Sequence, residues 1–163
     1  MKIAVISDTH GKMPSVLMDR LEGASLILHL GDLGPTALLS LLSSVAPTLA
    51  VQGNNDPPGL PELPERRNRR EGPIKIRMRH LPWSEQEMRG LGEPTLFLHG
   101  HLHYPVLESI PRGRLLCPGA VQGARRGSPP SLAWIDLQED RVLLRIRELE
   151  SSKLIQEEEW ILP

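Results

Sequence analysis

Short apolar runs recur through the first half of the chain, separated by segments of helical period. Ile3 to Ile6 is continuously apolar, as in a strand buried on both faces, and Pro14 opens a segment whose Val16, Leu17 and Leu21 share one helical face. Ser25 to Leu30 repeats the strand signature, Pro35 to Ser44 the helical one, and Thr48 to Gln52 predicts a third strand. This alternation predicts parallel strands joined by crossover helices.

A Pro- and Arg-rich stretch from Pro57 to Gly72 breaks the pattern and predicts a loop. Beyond it Ile74, Ile76 and Met78 alternate with Lys75, Arg77 and Arg79, the period of a strand with one wet face. Ser84 to Arg89 predicts a short helix, with Ser84 as cap and Glu87 completing a capping box. Thr95 to Leu98 is another buried strand. From Tyr104 onward the pattern is one of strands and hairpins, with turns at Pro111-Arg112-Gly113 and Glu139-Asp140 and a long strand from Val142 to Leu149. No internal repeat or linker is visible, so residues 1–163 are expected to form one domain.

Composition narrows the function. A formal net charge of −1 gives no global field for nucleic acid or an anionic membrane, and the aromatic residues are too few for a base-stacking platform. The apolar start, Ile3 to Ile6, is too short for a signal-peptide core, and no later stretch reaches membrane length. The lone Cys117 excludes an intramolecular disulfide and a thiolate zinc cluster, which fits a reduced, cytoplasmic setting.

The chemistry lies in where the ligand-type residues fall. Asp8 and His10 follow the first predicted strand, Asp32 the second, Asn54 the third, His80 the fourth, and His101 and His103 the fifth. In open α/β sheets the carboxyl ends of the strands form the binding edge, so these separated residues are expected to converge. Imidazole nitrogens with carboxylate and amide oxygens, and no thiolate, suit Mn²⁺ as the first choice, with Ni²⁺, Fe²⁺, Co²⁺ or Zn²⁺ as alternatives. Seven side chains are too many for one small ion and natural for two divalent ions per chain, which together bind a phosphate and lower the pKa of a water. Gly31, Gly53 and Gly100, each just before a ligand-type residue, permit tight turns at those points.

Asp8-Thr9-His10, Gly31-Asp32, Gly53-Asn54-Asn55-Asp56, His80 and Gly100-His101-Leu102-His103, in this order, resemble the calcineurin-like metallophosphoesterases, most closely their small bacterial and archaeal phosphodiesterase branch. The resemblance implies a four-layer α/β/β/α sandwich of two mixed sheets flanked by helices. It also implies a first metal on Asp8, His10, Asp32 and His103 and a second on Asp32, Asn54, His80 and His101, with Asp32 as the bridge. The expected function is phosphodiester hydrolysis, with a metal-bridging hydroxide attacking phosphorus in line. A phosphomonoesterase or nucleotide-polyphosphate hydrolase would use the same metals, and a non-catalytic interaction scaffold on this fold is the alternative of another class. The expected partner is a small phosphate ester or nucleotide, and the resemblance suggests homodimers or homotetramers.

The chain departs from the family pattern at three points. His80-Leu81-Pro82 stands where relatives often have His-Gly-His, the stretch between Asn54 and His80 is short, and Asn55 stands where many relatives carry a His that protonates the leaving group. Asn55 and Asp56 are the candidate catalytic residues, Asn55 as a hydrogen-bond donor to the phosphoryl or leaving-group oxygen and Asp56 as a residue that orients Asn55 or the loop. Asn54, Asn55 and Arg66 are the candidate substrate contacts. His29 and His99 read as core or supporting histidines, Cys117 as a small buried residue, and Arg66, Arg67, Arg69 and Arg70 either as a solvated loop or as an arm that attracts an anionic substrate.

Overall fold

In a computed structural model, residues 1–162 are described. The first half of the chain runs β1 (Lys2–Ile6), α1 (Ser15–Leu21), β2 (Leu26–His29), α2 (Ala37–Ser43) and β3 (Thr48–Ala50), with β1, β2 and β3 parallel as their apolar runs predict. Then come β4 (Arg66–Glu71), β5 (Ile74–Arg79), β6 (Thr95–Leu98), β7 (Pro105–Ile110), β8 (Gly113–Pro118), β9 (Ser131–Leu137), β10 (Arg141–Glu148) and β11 (Leu154–Ile161). They form two mixed sheets, one ordered β11-β10-β9-β1-β2-β3 and the other β4-β5-β6-β8-β7.

Each sheet turns an apolar face inward. Ile3, Val5, Leu26 and Leu28 of the first sheet meet Ile76, Met78, Leu96 and Leu98 of the second in one buried cluster. The period-two alternation of β5 therefore puts Ile74, Ile76 and Met78 inside and its three cations outside. On the outer face of the first sheet, Ala4, Ile6 and Ile27 are covered by Leu17, Leu21 and Leu42 of the two helices. The outer face of the second sheet buries Phe97 and Leu115 beneath Trp83 and Met88. The result is an α/β sandwich of two sheets. Among the described residues no helix is long and apolar enough to cross a membrane.

Two local expectations are corrected. The stretch 57–72 is not all loop, because Arg66–Glu71 forms β4, antiparallel to β5. Its sequence, Arg-Arg-Asn-Arg-Arg-Glu, shows no hydrophobic alternation because β4 is an edge strand whose side chains reach solvent from both faces. Residues 84–89 form consecutive turns rather than a helix. The capping bonds do form, with Ser84 N–H and Oγ donating to Glu87 Oε2 at 3.0 and 2.8 Å. However, Gly90, at φ +66, ends the segment after one turn.

Candidate metal centre

The carboxyl ends of β1, β2 and β3 in one sheet and of β5 and β6 in the other open onto the same edge, and the loops leaving them are locked to one another. Asp8 N–H donates to Gly31 O at 3.0 Å, His10 N–H to Asp32 O at 2.9 Å and Val121 N–H to Ser7 O at 3.0 Å. There is no room between these loops. A Cβ on Gly53 would sit 2.1 Å from Asp32 N, and one on Gly100 would sit 2.0 Å from Ser7 Oγ. Asp8, His10, Asp32, His101 and His103 all have φ between 47° and 68°, the left-handed region that non-glycine residues adopt at a cost of about 1–3 kcal/mol each. Such clustered backbone strain marks a functional edge, and sequence patterning gives no sign of it.

All seven ligand-type residues come together here. Asp8, His10, Asp32 and His103 offer donor atoms that lie within 4.8 Å of one another and could hold a metal ion. Nε2 of His103 is 3.0 Å from Asp8 Oδ1, and Nε2 of His10 is 3.9 Å from both Asp8 Oδ1 and Asp32 Oδ2. On the other side of Asp32, Asn54 Oδ1 is 3.0 Å from His80 Nε2 and 3.0 Å from His101 Nδ1, while His80 Nε2 is 3.5 Å from Asp32 Oδ2. Asp32 thus adjoins both sets.

The donor chemistry fits divalent cations. Bonds of about 2.0–2.2 Å to one ion put neighbouring ligand atoms about 3.0–3.5 Å apart, near the closer separations seen here. His80 Nδ1 donates to Leu30 O at 2.7 Å and His103 Nδ1 to Gly123 O at 2.8 Å, an arrangement in which either ring, when it gives up its other proton to a cation, would turn the lone pair of Nε2 toward the cluster. Asp8 Oδ1 is buried without a hydrogen-bond partner, an orphaned anionic oxygen that a cation would satisfy. Burial opposes ionisation of Asp32, yet bonds from His80 and Asn55 outweigh it and hold the carboxyl well below the usual carboxylate range. Burial likewise opposes a charge on His80, but Asp32, Asp8 and the Leu30 carbonyl hold its pKa above the ordinary value.

A family model described as the calcineurin-like phosphoesterase superfamily domain matches residues 1–140. The chain belongs to this superfamily. It is 32% identical over 141 residues to a probable metallophosphoesterase of Methanothermobacter thermautotrophicus, covering 79% of this chain and 82% of that protein. A probable metallophosphoesterase of Methanocaldococcus jannaschii is 31% identical over 130 residues, covering 74% and 68%. Among solved structures the fold is similar to YfcE, a phosphoesterase from E. coli, with a TM-score of 0.79 at 22% identity over 97% of this chain and 98% of that one. It is equally similar to Vps29 from Entamoeba histolytica, a structure complexed with Zn²⁺, with a TM-score of 0.79 at 22% identity over 99% of each chain.

Around this candidate metal centre the supporting groups are specific. Asn55 donates its backbone N–H to Asp32 Oδ1 at 2.8 Å and its amide Nδ2 to Asp32 Oδ2 at 2.6 Å, so its donor groups face the carboxylate. Asp56 is buried and accepts from Gly34 N–H at 3.0 Å and Gly53 N–H at 2.8 Å, tying the loop after β3 to the loop after β2. His29 Nδ1 accepts from Gly31 N–H at 3.2 Å, which leaves Nε2–H to donate to Thr9 Oγ1 at 2.9 Å, and the Thr9 hydroxyl passes on to Leu33 O at 2.9 Å. Complete burial, reinforced by the nearby His80, pushes the His29 pKa down to about 3 and keeps the ring neutral. His99 is also buried, which pushes its pKa down to about 4, and its Nδ1 donates to Gly100 O at 2.9 Å. Burial pushes the Cys117 thiol up to about 12, so it is unreactive.

A groove of about 390 Å³ opens beside the cluster, lined in part by Asn54, His80, Arg66 and Arg79. Arg66 therefore shares a groove with Asn54, although it sits on a strand rather than a loop. Its neighbours in the groove, Gln52, Arg79, Leu81 and Pro82, are not legible as site residues in the sequence. Arg79 had one signal, since it directly precedes His80 on the wet phase of β5.

Proposed function

We propose that the chain is a phosphodiesterase working with two divalent cations. Asp8, His10, Asp32 and His103 would hold one and Asp32, Asn54, His80 and His101 the other. The observation that carries this reading is the position of Asp32, whose Oδ2 lies 3.9 Å from His10 Nε2 on one side and 3.5 Å from His80 Nε2 on the other. Such a pair of ions, Mn²⁺ first among the candidates, supplies a nucleophile at neutral pH and neutralises charge on the phosphoryl oxygens. The protein's part is orientation. The Leu30 and Gly123 carbonyls fix the rings of His80 and His103, Asn55 fixes Asp32, and Asp56 braces the two loops. A diester is favoured over a monoester because the groove beside Asn54 and His80 has room for a substituent beyond the phosphate.

Elemental analysis combined with a screen of mono- and diesters tests this. The reconstituted wild type should hold about two ions per chain and hydrolyse aryl diesters. Asp32→Asn should lose both ions, whereas His103→Ala and His101→Ala should each lose mainly one. A wild type that never holds more than one ion yet hydrolyses diesters fully overturns the two-cation reading, and preference for monoesters or nucleotide polyphosphates overturns the diester assignment. The likeness to Vps29 motivates a scaffold reading on the same fold. A metal-replete chain that hydrolyses no ester would favour it.

A further inference from the structure

The dense basic run of the sequence divides when β4 pairs with β5. Arg66 faces Arg79 across the ladder, Asn68 faces Arg77, and Arg70 faces Lys75. Because Ile74, Ile76 and Met78 of β5 point into the core between the sheets, these six residues share the outer face. Arg67 and Arg69 pair with Met78 and Ile76 and lie on the other face, where Arg67 Nε donates to Ala50 O at 2.8 Å and Arg69 pairs with Glu71.

The outer face is short of counter-charge. Glu87 takes Arg79 with both oxygens, at 2.7 and 2.9 Å, and stands 3.7 Å from Arg66. Glu93 pairs with Arg70 and lies 3.6 Å from Lys75. Among the described residues no carboxylate pairs with Arg77, whose guanidinium lies 5.2 Å from the centroid of the Trp83 ring. Arg79 is held by Glu87 and largely covered, and Arg77 lies between Trp83 and Phe97 with its Nε buried. The cations this face presents to solvent are therefore Arg66, Arg70 and Lys75, three against the two carboxylates, in a chain whose net charge is −1. The strip begins at the groove that Arg66 and Arg79 share with Asn54 and His80, with Glu65 the carboxylate among the lining residues. From Arg66 to Arg70 it runs roughly 13 Å, at about 3.3 Å per strand residue.

From this placement we infer that the substrate is a nucleic-acid strand, whose further phosphates lie along the outer face of the β4–β5 ribbon while one phosphodiester sits at the metal-ligand residues. The inference rests on the phosphodiesterase reading. Contact is through phosphates rather than bases, because Trp83 is buried under arginines and offers no stacking surface. Binding is therefore indifferent to sequence and steeply dependent on salt.

The test compares the p-nitrophenyl ester of thymidine 5′-phosphate with the same ester extended by a short oligothymidylate, and the matching uridine pair. The leaving group is constant, so the ratio of kcat/KM within a pair reads only the strand. At low salt the extended ester of at least one pair should be favoured by about tenfold, and added salt should remove the preference. Arg66→Ser and Arg70→Ser should each lower that ratio several-fold, whereas Arg69→Ser, the same charge loss on the other face of the strand, should not. A preference in one pair alone assigns the strand to DNA or RNA. A wild-type ratio near unity in both pairs, or an equal fall in R69S and R70S, overturns the strand assignment while leaving the phosphodiesterase reading intact. Hydrolysis of none of the esters overturns the phosphodiesterase reading itself.

Discussion

Asn55 grips both oxygens of Asp32, its backbone N–H reaching Oδ1 at 2.8 Å and its amide reaching Oδ2 at 2.6 Å. On the proposed two-cation reading Asp32 has to present fixed oxygens to both ions, and a paired donor on the next loop restricts its rotation. This gives Asn55 a positioning role through Asp32, in addition to or in place of a contact with the ester.

The first prediction separates the two roles. Removing the amide in Asn55→Ala should lower kcat/KM for diesters by about 10–100-fold, as loss of an outer hydrogen bond to a metal ligand does. Because the leaving group is untouched, aryl and alkyl diesters should fall by the same factor. Kinetics on one of each decides it. A larger loss for the alkyl ester would show that Asn55 donates to the departing oxygen.

The convergence of the candidate ligand residues was legible because the sequence repeats one physical device, a buried apolar run followed by a polar ligand-type residue past the strand's carboxyl end. Ile3–Ile6 before Asp8 and Thr95–Leu98 before His101 are examples, and the structure has β1 and β6 there. β4 was not legible, because an edge strand of arginines carries no period-two signal. The division of those arginines between two faces depends on register with β5, which no local pattern encodes. The bond from His29 to Thr9 was equally hidden, since it joins the last residue of β2 to the loop after β1, and the separate motifs say nothing of each other.

The second prediction concerns loop packing. A Cβ at Gly53 would meet Asp32 N at 2.1 Å and Asp32 Oδ1 at 2.2 Å, and backbone cannot yield cheaply. Gly53→Ala should therefore displace Asp32, cost about 1–3 kcal/mol of stability and reduce the bound metal at both sites. Gly92→Ala, whose Cβ meets nothing within 4 Å, should leave melting temperature and metal content near wild type. Full metal content in Gly53→Ala would mean that the loop after β3 can move away from Asp32 without loss.

The third prediction is a pH dependence that originates at His29. Its ring is fully buried and neutral, with Nδ1 committed as acceptor to Gly31 N–H and Nε2–H committed as donor to Thr9. A second proton would have to sit on Nδ1, against the Gly31 N–H, inside the core. Burial, with the nearby His80, pushes its pKa from 6.5 down to about 3 in the folded protein. Below pH 6.5 the unfolded chain binds a proton that the native chain does not, so stability falls as pH falls and the loss continues until the pH reaches about 3. Well inside that window the slope from this one group approaches about 1.4 kcal/mol per pH unit. The carboxylates contribute mainly nearer and below their own ordinary range. From pH 6.5 down to about 5 the slope therefore comes from the buried histidines, His29 together with His99, whose pKa is pushed down to about 4, and the comparison with a His29 variant isolates the His29 share. Denaturant unfolding of chelator-treated wild type and His29→Asn across that interval measures it. The variant starts less stable, having lost the bond to Thr9, but its stability should decline with falling pH less steeply than that of the wild type. Parallel declines in the two proteins would show that His29 is protonated in the native state and that its bond from Gly31 is replaced without cost.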